Sequence, residues 1–140
     1  MPKDKLVSSK PFFALFEAQV RDSLERLGLQ RIETYVVRVK LDEQMAGACS
    51  YSPESSQAMV LLSTKLQVPD ATPDAVETIA IHESLELLLQ PLTQRSEAMG
   101  ADGPVMESLR HEVINALVAM IQRYEAELME ALIANLENDE

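Results

Sequence analysis

Over residues 11–27 the apolar positions Phe12, Phe13, Leu15, Phe16, Ala18, Val20, Leu24 and Leu27 recur at helical spacing, and Gly28 follows them. This predicts an amphipathic helix closed by a glycine. Over residues 31–41 the period changes to two and β-branched residues accumulate, which predicts a strand with Tyr35, Val37, Val39 and Leu41 turned inward. Gly47, Pro53 and several serines break the pattern across residues 42–56 and leave room for a short strand at 46–51. The apolar run Ala58, Met59, Val60, Leu61 and Leu62 within residues 57–64 reads as a third strand. Thr72, Pro73 and Asp74 then stand in the order of a cap, a first-turn proline and a first-turn acid, so a helix begins there and runs to about Gln90, before Pro91. After a polar connection over residues 93–103, Pro104 opens a long helix. It places Met106, Leu109, Val113, Leu117, Met120, Tyr124 and Leu128 on one face and extends toward Leu136. One helix, about three strands and two packed helices define an α+β domain.

The 140 residues suit a single domain, 1–140, with residues 1–9 and 137–140 as mobile ends. An apolar share of 46% excludes a disordered or collagen-like chain. Aromatic residues make up 4% and Trp is missing, so the core falls to aliphatic side chains and methionines, with Met45, Met59, Met106, Met120 and Met129 as fillers. No apolar run reaches the roughly 18 to 20 residues of a membrane span, and the start lacks the apolar stretch of a secretion signal. The chain reads as cytoplasmic, without a membrane partner. Its single Cys49 can make neither an internal disulfide nor a cysteine-based zinc site, and is expected as a small buried residue.

Charge is unevenly placed. Residues 1–40 hold eight bases against five acids, net +3, whereas residues 41–140 hold four against eighteen, net −14. That acidic body argues against nucleic acid as a partner, because phosphate affinity rests on Lys and Arg. The six acids from Glu125 to Glu140 read as a solvated helix face.

The chemistry concentrates in the middle of the helix after Pro73. His82 and Glu86 are one turn apart and leave the same face, where they can pair or share a cation. A second pair, His111 and Glu112, opens the long helix, and two packed helices can bring His82, Glu86 and one of these together. Helical angles do not choose between His111 and Glu112. No Gly-x-Ser-x-Gly surrounds Ser84, and no Gly-rich phosphate loop occurs.

The motif His82-Glu83-x-x-Glu86, with the strand before it and the helix after it, resembles the minimal zincin metallopeptidases, small zinc-protease-like domains common in phages and bacteria. Residues 58–64 look like the strand preceding the active-site helix, 78–89 like that helix and 111–121 like the later one. The resemblance implies His82 as first metal ligand, Glu83 as general base and Glu112, with His111 beside it, as the downstream ligand. It also implies a peptide substrate lying along residues 57–64. Glu86 stands where the family has its second histidine. A carboxylate still reaches Zn²⁺, whereas two histidines and one carboxylate also suit Fe²⁺ or Mn²⁺. Zinc is the first choice of cofactor. The two readings are a zincin-like metal-binding domain, either an active metallopeptidase or one that has lost catalysis, and a metal-free acidic interaction protein whose His–Glu pairs are structural and whose long helix docks a partner or a second copy. A nucleic-acid mimic ranks third.

Overall fold

The computed structural model describes residues 5–98, 100 and 103–138, with the backbone alone at residues 93 and 95–97. The chain is α+β. Its elements are β1 (Leu6–Ser8), a 3-10 turn, α1 (Phe13–Arg26), β2 (Glu33–Val39), β3 (Gly47–Ser52), β4 (Gln57–Ser63), β5 (Lys65–Gln67), a second 3-10 turn, α2 (Pro73–Ala98) and α3 (Gly103–Asn138). Among the described residues no helix is long and apolar enough to cross a membrane. A three-stranded sheet has the order β2-β4-β3, with β2 parallel and β3 antiparallel to the central β4. β1 pairs with β5 in a separate ribbon, so residues 6–8 form a strand where a loose start is expected. Residues 1–4 and 139–140 of the expected mobile ends lie outside the described residues.

The sheet buries one face. Ala58, Val60 and Leu62 of β4 pack against Phe16, Val20 and Leu24 of α1 and against Val76, Ala80 and Leu87 of α2. Residues paired in register share a face, so the β2 row beside them is Thr34, Val36 and Arg38. This reverses the facing expected from hydropathy, and Tyr35, Val37 and Val39 are exposed. The polar inward row is tolerated because its groups are bonded. Arg38 donates to Ser9 Oγ at 2.8 Å and to the Thr64 carbonyl at 3.1 Å, and Arg21 donates to the Thr34 carbonyl at 2.8 Å.

Thr72 caps α2 as expected, its Oγ1 accepting from the Ala75 N–H at 3.1 Å. The helix does not stop at Pro91 but continues to Ala98, leaving only a short link to α3. Pro91 lacks one backbone donor, yet the turn before it is anchored by Leu85 and Leu87, both buried. A second cluster joins Ile81 and Leu85 of α2 to Ile114 and Val118 of α3. The buried stripe of α3 is therefore rotated from the expected one, and Leu109, Val113, Met120, Tyr124 and Leu128 face outward. Met45, Met59, Met120 and Met129 are likewise exposed rather than core. Methionine and leucine on a long helix do not reveal by themselves which side meets the body.

Gly47 determines how closely β3 approaches α2. A Cβ there would stand 2.9 Å from Ile79 Cγ2, 3.1 Å from the Leu61 carbonyl oxygen and 3.3 Å from Glu83 Cγ. Gly47→Val is expected to destabilise the fold by about 1–3 kcal/mol through overpacking, read as a lower chemical-denaturation midpoint. An unchanged midpoint would contradict this close approach.

Candidate metal centre

Two helices and one strand converge on Glu86. On α2, His82 Nε2 lies 3.5 Å from Glu86 Oε1, as their one-turn spacing dictates. From α3, His111 Nδ1 lies 4.0 Å from the same oxygen, and its ring stacks on that of His82 with centroids 5.8 Å apart. Donor atoms of His82, Glu86 and His111 all lie within 4.8 Å of one another. Glu112 is exposed and belongs to no such group, so the helix packing brings in His111 rather than Glu112.

The donor set fits a divalent ion. Zinc bonded at about 2.0–2.2 Å to nitrogen and oxygen holds tetrahedral ligand atoms about 3.4 Å apart. The His82–Glu86 separation is already at that value, and the His111–Glu86 separation needs only a small side-chain rotation. Glu107, one turn before His111, is 3.8 Å from His111 Nε2. That carboxylate lies on the Nε2 side of the ring, while Nδ1 faces Glu86, the side from which carboxylates orient metal-binding histidines. Its spacing from His111 repeats that of His82 and Glu86 and was the available sequence signal.

Three further residues complete the surroundings. Glu83 is 5% exposed, and its Oε2 is enclosed without a hydrogen-bond partner. Cys49 of β3 sets its thiol 3.7 Å from Glu86 Oε2 and is half-buried. Arg110 of α3 brings Nε to 3.9 Å from Glu86 Oε1, and that nitrogen is enclosed and unbonded. Ser84, by contrast, is structural, donating to the Ala80 carbonyl at 2.8 Å.

Burial, then the charge and hydrogen bond of Glu86, push the Glu83 carboxyl up to about 8. Burial alone would raise Glu86 too, but His82, the hydrogen bond with Glu83 and the charge of Arg110 together hold it below the usual carboxylate range. Burial and the two carboxylates push the Cys49 thiol up. The cluster opens to a cavity of about 500 Å³ that Gly47 and Cys49 of β3 border on one side and His82, Glu86 and His111 on the other. β4, the strand expected to carry substrate, is central and paired on both sides. The sheet edge beside the cluster belongs to β3.

Comparison of the chain with models of known protein families, with curated proteins and with solved structures finds no match.

Because Glu83 is protonated in the metal-free fold but ionised when unfolded between its ordinary 4.5 and about 8, its contribution to stability is complete below 4.5 and lost as pH rises through about 8. With chelator present, the melting temperature should therefore fall from pH 6 to pH 9, and Glu83→Gln should flatten that fall. An equal slope in both proteins would contradict a protonated Glu83.

Proposed function

We propose that the protein is a divalent-metal-dependent peptidase of zincin type, its ion held by His82, Glu86 and His111. The observation that carries this reading is the meeting of two imidazoles and one carboxylate from two helices, their donor atoms within 4.8 Å of one another, beside an open cavity. The resemblance of the His82-Glu83-x-x-Glu86 helix to minimal zincins supplies the reaction class. When bound, a divalent ion supplies Lewis acidity toward a carbonyl and toward water. Zinc suits the donors best, and Fe²⁺ or Mn²⁺ suit them next.

The chain's own residues would do the rest. A cation beside Glu83 favours its ionised form, so this enclosed carboxylate can take a proton from water and return it to the leaving amine. The Arg110 guanidinium, close to Glu86, offers fixed positive charge where a carbonyl oxygen gains negative charge. The unpaired edge of β3 can receive an extended peptide by backbone hydrogen bonding, which places the peptide along the cavity. The acidic body favours a peptide or protein substrate over nucleic acid.

Arg110 also favours a second reading, a metal-free interaction protein. Its guanidinium can offset the Glu86 charge without an ion, and the exposed apolar side chains of α3 would then meet a partner or a second copy.

Elemental analysis of protein purified without a tag or chelator, paired with thermal melts, separates the two. The metal reading expects about one or more bound ions and a stabilisation of about 2.7 kcal/mol when free ion is one hundred times its dissociation constant. His111→Ala should lower the metal content, while Glu112→Ala should leave it unchanged. Glu83→Gln should retain the ion held by His111 and lose about 10²–10⁴-fold in peptide cleavage. No ion and no melt shift would leave the metal-free reading.

A further inference from the structure

The two oxygens of Glu86 face different donor sets. Oε1 looks toward His82 and His111, whereas Oε2 lies 3.7 Å from Cys49 Sγ on the opposite strand. Cys49, Glu83 and Glu86 form a second group of donor atoms within 4.8 Å of one another. We propose that Cys49, Glu83 and Glu86 make a second divalent-cation site that shares the Glu86 carboxylate with the first, and that it takes a thiophilic ion of the zinc class. The inference rests on the reading above through the shared Glu86 and, for its effect on the reaction, through Glu83.

The Cys49–Glu86 separation matches that of two ligands on one ion. Zinc bonds sulfur at about 2.3 Å and carboxylate oxygen at about 2.0–2.2 Å, which sets tetrahedral sulfur and oxygen ligands about 3.6 Å apart. The observed 3.7 Å between Cys49 and Glu86 needs almost no adjustment. The independent sign is Glu83. This side chain is 5% exposed, and its enclosed Oε2 finds no hydrogen-bond partner among the described residues. Buried polar atoms are ordinarily paired, so an oxygen of the Glu83 carboxyl left without a partner beside a thiol and a second carboxylate is an open ligand position, taken as the ion displaces the carboxyl proton.

The surroundings support access and selectivity. Gly47 lets β3 approach α2 closely enough for Cys49 to reach Glu86, and the same 500 Å³ cavity that reaches the histidines is lined by Cys49 and Glu83. Sulfur among the donors selects zinc, cadmium or cobalt over magnesium and calcium, which prefer all-oxygen sites. A cation on Glu83 withdraws that carboxylate from the proton transfer proposed above, so the second ion acts as a brake on the first.

Cobalt titration of the tag-free chain tests the site, with stoichiometry from equilibrium dialysis and absorption following the thiolate-to-cobalt charge-transfer band. The expected result is about two ions per chain, a band in the near ultraviolet, and the loss of that band and of one ion in Cys49→Ser. His111→Ala should lose the other ion and keep the band. Since the wild-type spectrum itself reports thiolate ligation, the test does not depend on either variant folding. About one ion, without a thiolate band and lost in His111→Ala, would overturn the second site and leave the first standing. No bound cobalt would overturn both.

Discussion

The organising constraint of this fold is two carboxylates on one helix beneath the edge of a sheet, Glu83 buried and Glu86 half-buried. Taking a charge out of water costs several kcal/mol or more unless positive charge or protons meet it. Around this pair the chain places Arg110, His82, His111 and a thiol, each on an element that has another structural reason to be there. The α2 helix carries both acids because its remaining sides are occupied by the sheet, α1 and α3. The α3 helix arrives through Ile114 and Val118, and that docking delivers Arg110 and His111. Packing and site are therefore one problem: a shift of α3 along α2 would separate His111 from Glu86.

The same constraint explains Gly47. A side chain at that position would push β3 away from Ile79 and Glu83, opening the acid pair to water and carrying Cys49 out of reach of Glu86. Without such a side chain the strand seals one flank of the pair while its own free edge stays beside the cavity. The cluster thus combines a buried interior, which strengthens electrostatic interaction, with an open cavity beside it.

Much of the fold was legible in the sequence because capping and periodicity are local. Thr72-Pro73-Asp74 announced α2, and the helix–strand–helix order followed from where the period changed. What failed were decisions made by neighbours. The facing of β2 depends on its register with β4 and on the bonds that satisfy Arg38, neither of which appears in the alternation of residues 31–41. Pro91 looked like a stop because its missing donor is visible in sequence, whereas the packing that carries the helix past it is not. His82 and Glu86 were found by spacing, but His111 could not be preferred to Glu112 until α3 had an orientation. Cys49, Glu107 and Arg110 were missed as members of the cluster. Of these, only Glu107 left a local trace, one turn from His111.

The most direct measurement is anomalous diffraction at the zinc edge from crystals grown with zinc. A metal centre predicts a peak within bonding distance of His82 Nε2, Glu86 Oε1 and His111 Nδ1 together. The contrary result is no peak at that point, with the Arg110 guanidinium bonded to Glu86 in its place.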